Sequence, residues 1–259
     1  MRHFLLAPLA FLAFSHASAA LVTKPVDYQD EKGTPLHGFV VYDDAVAGPR
    51  PGVIVVHDWR GITDYTHTRA EMVAKLGYAA FAADIYGKDL SKGNPQVWMQ
   101  EIGIYKGDRD LYRERARAAY AAFLKVPQVD PKKVAAIGYC FGGTGVVEMA
   151  RDGLPLRGVV PFHGGLDARP VTPGKAITAK VLALCGADDP YEKPDDMAAF
   201  EKQLKDANVD YQIVSYGHAV HAFTDPGVDA LHQPGAAYNA DADKRSWQAM
   251  ADFLREIFQ

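Results

Sequence analysis

Short apolar runs alternate with helical patterns along this chain, and that alternation restricts the fold more than any other feature. GVIVVHD (52–58) and KVAAIGYC (133–140) are nearly continuous in apolar residues, the pattern of strands buried on both faces. HGFVVYD (37–43), YAAFAAD (78–84), LRGVVPFHG (156–164), AKVLALCG (179–186) and DYQIVSYG (210–217) read as further strands. Helical patterns cover 65–78, 108–126, 196–207 and 241–258, and FGGTGVVEMA (141–150) starts another. The helix at 108–126 carries acids in its first turn and apolar residues along one face, as a helix packed on a sheet should. Strand–helix alternation predicts an α/β fold, a mostly parallel sheet flanked by helices on both faces. A chain of 259 residues, 48% of them apolar, can bury one large core. No repeat, low-complexity segment or linker divides it, so a single domain is expected over residues 20–259.

The N-terminus MRHFLLAPLAFLAFSHASAA has Arg2, an apolar run from Phe4 to Phe14, and then Ala17-Ser18-Ala19. A basic start, an apolar centre and a small-x-small end make a secretory signal peptide. Residues 1–19 are therefore expected to be a cleaved leader, since the apolar run is shorter than the roughly 20 residues a membrane span needs. The mature protein is expected to be exported, periplasmic or secreted. The net charge is −4 with acids and bases interspersed, which leaves no basic footprint for nucleic acid. No nucleic-acid partner, no membrane attachment after leader removal and a monomeric state are expected. Cys140 and Cys185 are the only cysteines. They are too few for a disulfide framework, and two strand ends need not bring sulfurs within bonding range.

In a parallel sheet the loops after the strand C-termini line the functional crevice. Asp58, Asp84, Cys140, His163, Asp188 and His221 fall at such ends. Gly138-Tyr139-Cys140-Phe141-Gly142 has the strand–Gly-x-nucleophile-x-Gly–helix form, in which a strained turn presents the central side chain. The following helix N-terminus favours thiolate over thiol, and the Phe141 N–H is free to meet an oxyanion. A small buried cysteine in a glycine-rich turn is the plainer reading, but its company points to chemistry. LCGADDPYEKP offers Asp188 and Asp189, and SYGHAVHAFTD offers His218 and His221. Nucleophile, acid and histidine occur in the chain order of an elbow hydrolase, and together they make a nucleophile–base–orienter set. His218, His221 and Asp225 lack the helical spacing and glutamate of a zinc hydrolase, so neither a metal nor another cofactor is expected. His163 is read as bonding the adjoining loop rather than lining the crevice.

These motifs resemble the dienelactone hydrolase family of α/β-hydrolases. The resemblance runs from HGFVVYD to the last helix and rests on VVHDWRG (55–61), ADIYGK (83–88), GYCFGG (138–143), CGADDPY (185–191) and HAFTDP (221–226). It implies an α/β-hydrolase sheet, no metal, and hydrolysis of ester or lactone bonds through an acyl-cysteine. Carried over motif by motif, Cys140 matches the nucleophile, His221 the general base and Asp188 the orienting acid. Phe141 and Trp59 match the residues whose N–H groups form the oxyanion hole. Asp58 stands where the family commonly has a glutamate that activates the resting thiol, and it is one methylene shorter. Lys88 stands at one substrate-binding arginine and keeps the charge without the bidentate fork. Asp225 stands at the other, where it would repel a substrate carboxylate.

The expected activity is therefore hydrolysis of small carboxylic esters or lactones by Cys140, His221 and Asp188, with Asp58 assisting the thiol and Lys88 binding substrate. A thioesterase or peptidase would use the same triad, because the triad does not choose the leaving group. A ligand-binding protein would keep the fold without acylation, and the intact Cys/Asp/His set argues against it. A thiol redox protein would use Cys140 and Cys185, but the chain has no Cys-x-x-Cys.

Overall fold

A computed structural model describes residues 21–87, 90 and 93–259. The leader expected at residues 1–19 and the substrate-binding Lys88 lie outside the described residues. The strands are β1 (Leu21–Gln29), β2 (Pro35–Asp43), β3 (Arg50–Val56), β4 (Ala79–Ala83), β5 (Val129–Tyr139), β6 (Gly158–Phe162), β7 (Lys180–Gly186) and β8 (Tyr211–Tyr216). They form one eight-stranded sheet in the order β1-β2-β4-β3-β5-β6-β7-β8. β1 and β2 pair antiparallel, as do β2 and β4; every pairing from β4 to β8 is parallel. The helices are α1 (Asp64–Lys75), α2 (Pro95–Gly107), α3 (Arg109–Phe123), α4 (Phe141–Arg151), α5 (Pro194–Asp206) and α6 (Ala240–Ile257).

Strand side chains alternate between the two faces, and both faces are covered. Ile54 and Val56 of β3 face a core with Tyr112 and Phe123 of α3, Val146 of α4 and Phe200 of α5. Val53 and Val55 face a second core with Ala70 and Val73 of α1 and Met250 and Leu254 of α6. This is why the central strands read as unbroken apolar runs. β1 and α2 were not expected from the sequence pattern. β1 contains Lys24, Pro25 and Asp27, residues that disfavour a central strand but suit the sheet edge where it lies. α2 begins in the polar stretch SKGNP: Asn94 accepts from the N–H groups of Gln96 and Val97, and Pro95 takes the first helical position. That is a helix start inside a segment with the composition of a loop.

All of α4 is buried, so its polar side chains need partners inside. Glu148 is fully buried and meets Arg113 Nη2 at 2.7 Å and Arg151 Nη1 at 2.9 Å. Removing one member of such a network leaves uncompensated buried charge. Glu148→Ala is expected to cost about 3–4 kcal/mol of stability, seen as a lower urea midpoint at an unchanged m-value.

Candidate active site

β5 runs into α4 through Cys140, whose φ of 54° and ψ of −113° are rarely adopted by residues with side chains. The flanking glycines make this turn possible. A Cβ on Gly138 would lie 2.0 Å from the Gly142 carbonyl oxygen, and one on Gly142 would lie 2.2 Å from that of Val56. The turn brings Cys140 Sγ to 3.0 Å from His221 Nε2, and His221 Nδ1 to 2.8 Å from Asp189 Oδ2. The His221 main chain is clamped on both sides. Its N–H donates to the Gly235 carbonyl at 3.1 Å, and its carbonyl accepts from the Ala237 N–H at 3.2 Å. Burial works against an imidazolium here. The Cys140 sulfur and the Asp189 carboxylate outweigh it and push the His221 pKa up to about 10.

The acid against His221 is Asp189, not the Asp188 expected from the motif. The Asp189 N–H closes a turn onto the Gly186 carbonyl, and its Oδ1 accepts from the Tyr191 N–H at 2.8 Å. Both carboxylate oxygens are thereby held, one of them toward the imidazole. The Asp188 side chain is 59% exposed and lies 4.0 Å from His218, which is itself 98% exposed. Adjacent side chains diverge in this turn, so only one of the two acids faces inward.

Asp58 does not make the expected contact with the thiol. Its Oδ1 accepts from the Arg60 N–H at 2.8 Å, and both oxygens accept from Arg60 Nε at 3.1 Å. Arg60 Nη2 donates to Asp225 Oδ2 at 2.6 Å. The short aspartate side chain is thus taken up by the arginine of its own loop. Burial disfavours the Arg60 charge, but Asp58 and Asp225 more than offset this and raise its pKa. Asp225 is buried in this pairing and is not the free repelling charge expected from its position. His218, His221 and Asp225 therefore point to different partners and do not gather as a metal site.

Phe141 and Trp59 line one cavity of about 470 Å³ together with Cys140 and His221. Among the described residues no protein acceptor takes the N–H of either. The Trp59 peptide is held by groups that sequence reading did not find. His57 Nε2 accepts from the Ile85 N–H at 3.3 Å, so its Nδ1 carries the proton and donates to the Asp58 carbonyl at 2.6 Å. A trans peptide is planar, so holding the Asp58 carbonyl also aims the Trp59 N–H the opposite way. The Tyr86 hydroxyl donates to the Trp59 carbonyl at 3.1 Å, and the Tyr112 hydroxyl to the Phe141 carbonyl at 2.9 Å. In the sequence these aromatic residues are legible only as core.

The cavity has an apolar wall of Met99, Ile102 and Leu166 and a charged rim that includes Lys106, Arg109 and Glu192. Burial, assisted by Asp189, Asp196 and Asp167, pushes the Glu192 pKa up to about 7. A larger groove of about 790 Å³ lies between β1 and α3 and holds none of the strand-end residues. Cys140 and Cys185 are free thiols, the latter buried in β7.

His57 and His163 are buried, and burial lowers both pKa values. Below about pH 6.5 the unfolded chain therefore binds protons that the folded chain refuses. The stability these two histidines contribute is fully present above that pH and is lost as pH drops toward their folded-state values. On going from about pH 7.5 to about pH 5 the urea midpoint of the parent is expected to lose ground against that of His163→Leu, which lacks one of the two rings; His221 and Glu192, whose pKa values are raised, act in the opposite sense in both proteins.

A mostly parallel sheet, a strained strand-to-helix turn at Cys140 and a histidine on the loop after the last strand define an α/β-hydrolase. The dienelactone hydrolase family profile matches residues 36–258, and the chain belongs to that family. It is 41% identical to the dienelactone hydrolase-like promiscuous phosphotriesterase P91 from metagenomic libraries, with a TM-score of 0.88 over 93% of this chain and 100% of that one. The protein m3DLH is 37% identical, with a TM-score of 0.87 and the same coverage, 93% and 100%. A Yersinia pestis protein provisionally named carboxymethylenebutenolidase is 28% identical over 87% of this chain and 85% of its own.

Proposed function

We propose that the protein is a cysteine hydrolase of small carboxylic esters or lactones, with Cys140 as nucleophile, His221 as acid–base and Asp189 as orienting acid. One observation carries the reading: the unbroken contact from Cys140 Sγ through His221 to Asp189, opening on a cavity of about 470 Å³. The Cys140 thiolate attacks the carbonyl carbon, and the negative charge moves to oxygen, where the N–H groups of Phe141 and Trp59 stabilise it. His221 Nε2–H gives its proton to the leaving oxygen as the C–O bond breaks, leaving a thioester on Cys140. His221 then takes a proton from water, the resulting hydroxide equivalent attacks the thioester, and Cys140 departs as thiolate. A family relative named as a carboxymethylenebutenolidase supports a lactone as one substrate class. The 41% identity to a promiscuous phosphotriesterase supports a second, since a phosphotriester also offers a polarised centre to a thiolate. We further propose that residues 1–19 direct export, testable by mass spectrometry of the N-terminus of periplasmic protein.

The direct test is hydrolysis of a p-nitrophenyl ester of a short acid, with intact-mass detection of an acyl adduct and peptide mapping to Cys140. Turnover with an adduct on Cys140 supports the proposal. A folded protein with neither turnover nor adduct across an ester and lactone panel would make it a binding protein. Paraoxon in parallel separates the phosphotriester reading.

A further inference from the structure

We propose that His163 is a positioning residue for the nucleophile, one imidazole that holds the Cys140 turn and the His221 loop in fixed relation. His163 is buried at the end of β6 with a φ of 38°. Its Nδ1 lies 3.1 Å from the Cys140 backbone nitrogen, a group that can only donate. Nδ1 is therefore the unprotonated nitrogen, and Nε2 carries the proton. Nε2–H donates to Thr224 Oγ1 at 2.7 Å. Thr224 follows His221 on the same loop, is fully buried, and meets the Tyr65 hydroxyl of α1 at 2.6 Å. Arg69 of the same helix binds its carbonyl.

The ring therefore sits between the nucleophile's backbone and the loop that carries the base. Its edge also packs on His221, with ring centroids 5.3 Å apart and planes at 67°. Because the Cys140 N–H is shared between His163 Nδ1 and the Phe162 carbonyl, it is drawn away from the cavity. The N–H groups of Phe141 and Trp59 remain as the oxyanion donors. The task needs an acceptor on one side and a donor on the other, held rigidly, which a neutral imidazole supplies in a single ring. Burial keeps His163 neutral, and the charges of His221 and Arg69 reinforce this. A proton on Nδ1 would set two N–H groups against each other. The sequence suggested only that His163 bonds a neighbouring loop; the structure adds that the nucleophile's own backbone is its other partner.

This inference rests on Cys140 being the nucleophile, so the test has an arm that needs no ester turnover. The alkylation rate of the folded protein by iodoacetamide reports on Cys140, because Cys185 is buried and burial pushes its pKa up to about 12. His163→Leu is expected to lower both this rate and kcat by about 10- to 100-fold, with KM within about threefold, as misplacing a reacting group does. His163→Asn should recover most of that loss. Its Oδ1 replaces the Nδ1 acceptor, and asparagine tolerates positive φ. Thr224→Val should reproduce part of the loss, and Thr224→Ser should restore it. Histidine ¹⁵N spectra should show His163 as the Nε2–H tautomer. Unchanged alkylation and kcat in folded His163→Leu, no difference between His163→Asn and His163→Leu, or a protonated Nδ1 would each overturn the proposal. If His163→Leu does not fold, the Thr224 pair and the spectra decide. Absent ester turnover in the parent would count against the proposed function alone, because alkylation still reads the position of Cys140.

Discussion

Asp189→Asn is expected to lower kcat/KM for an activated ester about 1,000-fold, whereas Asp188→Asn changes it by less than about twofold. The asparagine keeps the shape of the side chain but loses the charge that favours an imidazolium, and its amide permits the wrong tautomer. Asp189 Oδ2 is 2.8 Å from His221 Nδ1, while Asp188 faces solvent beside His218. The pH profile gives a second reading. In the parent, His221 holds its proton up to about 10, so the proton needed by the leaving group is lost, and kcat/KM falls, as pH rises through that value. Asp189 is one of the groups raising it, so the alkaline limb should move to lower pH in Asp189→Asn. A large loss in Asp188→Asn with Asp189→Asn near parental activity would return the acid role to the first of the two residues.

The pair Asp188-Asp189 also marks where sequence reading stops. Continuous apolar runs such as GVIVVHD locate the central strands because both faces of the sheet are covered, so burial leaves a pattern. The Gly-x-Cys-x-Gly spacing locates the strained Cys140 turn because close approach of Val56, Gly138 and Gly142 backbones excludes a Cβ at either glycine. Which of two adjacent acids turns inward depends on a few local hydrogen bonds, from Asp188 N–H to the Ala219 carbonyl, from Asp189 N–H to the Gly186 carbonyl and from Tyr191 N–H to Asp189 Oδ1, and composition carries no trace of them. Asp58 was misplaced for a related reason. Its partner Arg60 lies two residues away, and a local ion pair competes with a contact across the crevice. β1 was hidden because an edge strand tolerates the charges and the proline that a central strand excludes. The supports around the site act through one or two hydrogen bonds each, His57, Tyr86 and Tyr112 to backbone groups and Thr224 to the side chains of His163 and Tyr65. Sequence spacing cannot distinguish those from ordinary core packing.

Cys140→Ala is expected to reduce acyl transfer at least about 10,000-fold, because the other triad members have no nucleophile to serve. Cys140→Ser is the more informative change. It keeps an oxygen near His221 Nε2, but the charge of the sulfur is lost. Burial is the strongest influence on His221 and opposes its protonation; the Cys140 charge is the strongest influence in favour. Replacing thiolate by a neutral hydroxyl therefore lets the His221 pKa fall. The thiolate–imidazolium pair of the proposed mechanism would become a neutral hydroxyl–imidazole pair, and His221 would remove the serine proton during attack rather than before it. A loss of about 100- to 1,000-fold is expected, with activity rising as pH increases through the lowered His221 pKa. In the parent, protonated His221 is the competent form; in the serine variant, neutral His221 is. A serine variant with the parental pH profile would mean that the parent also starts from a neutral pair, and the ion-pair mechanism would fall while the nucleophile assignment stood. Full activity in Cys140→Ala would remove both, since no other thiol opens on the cavity that His221 faces.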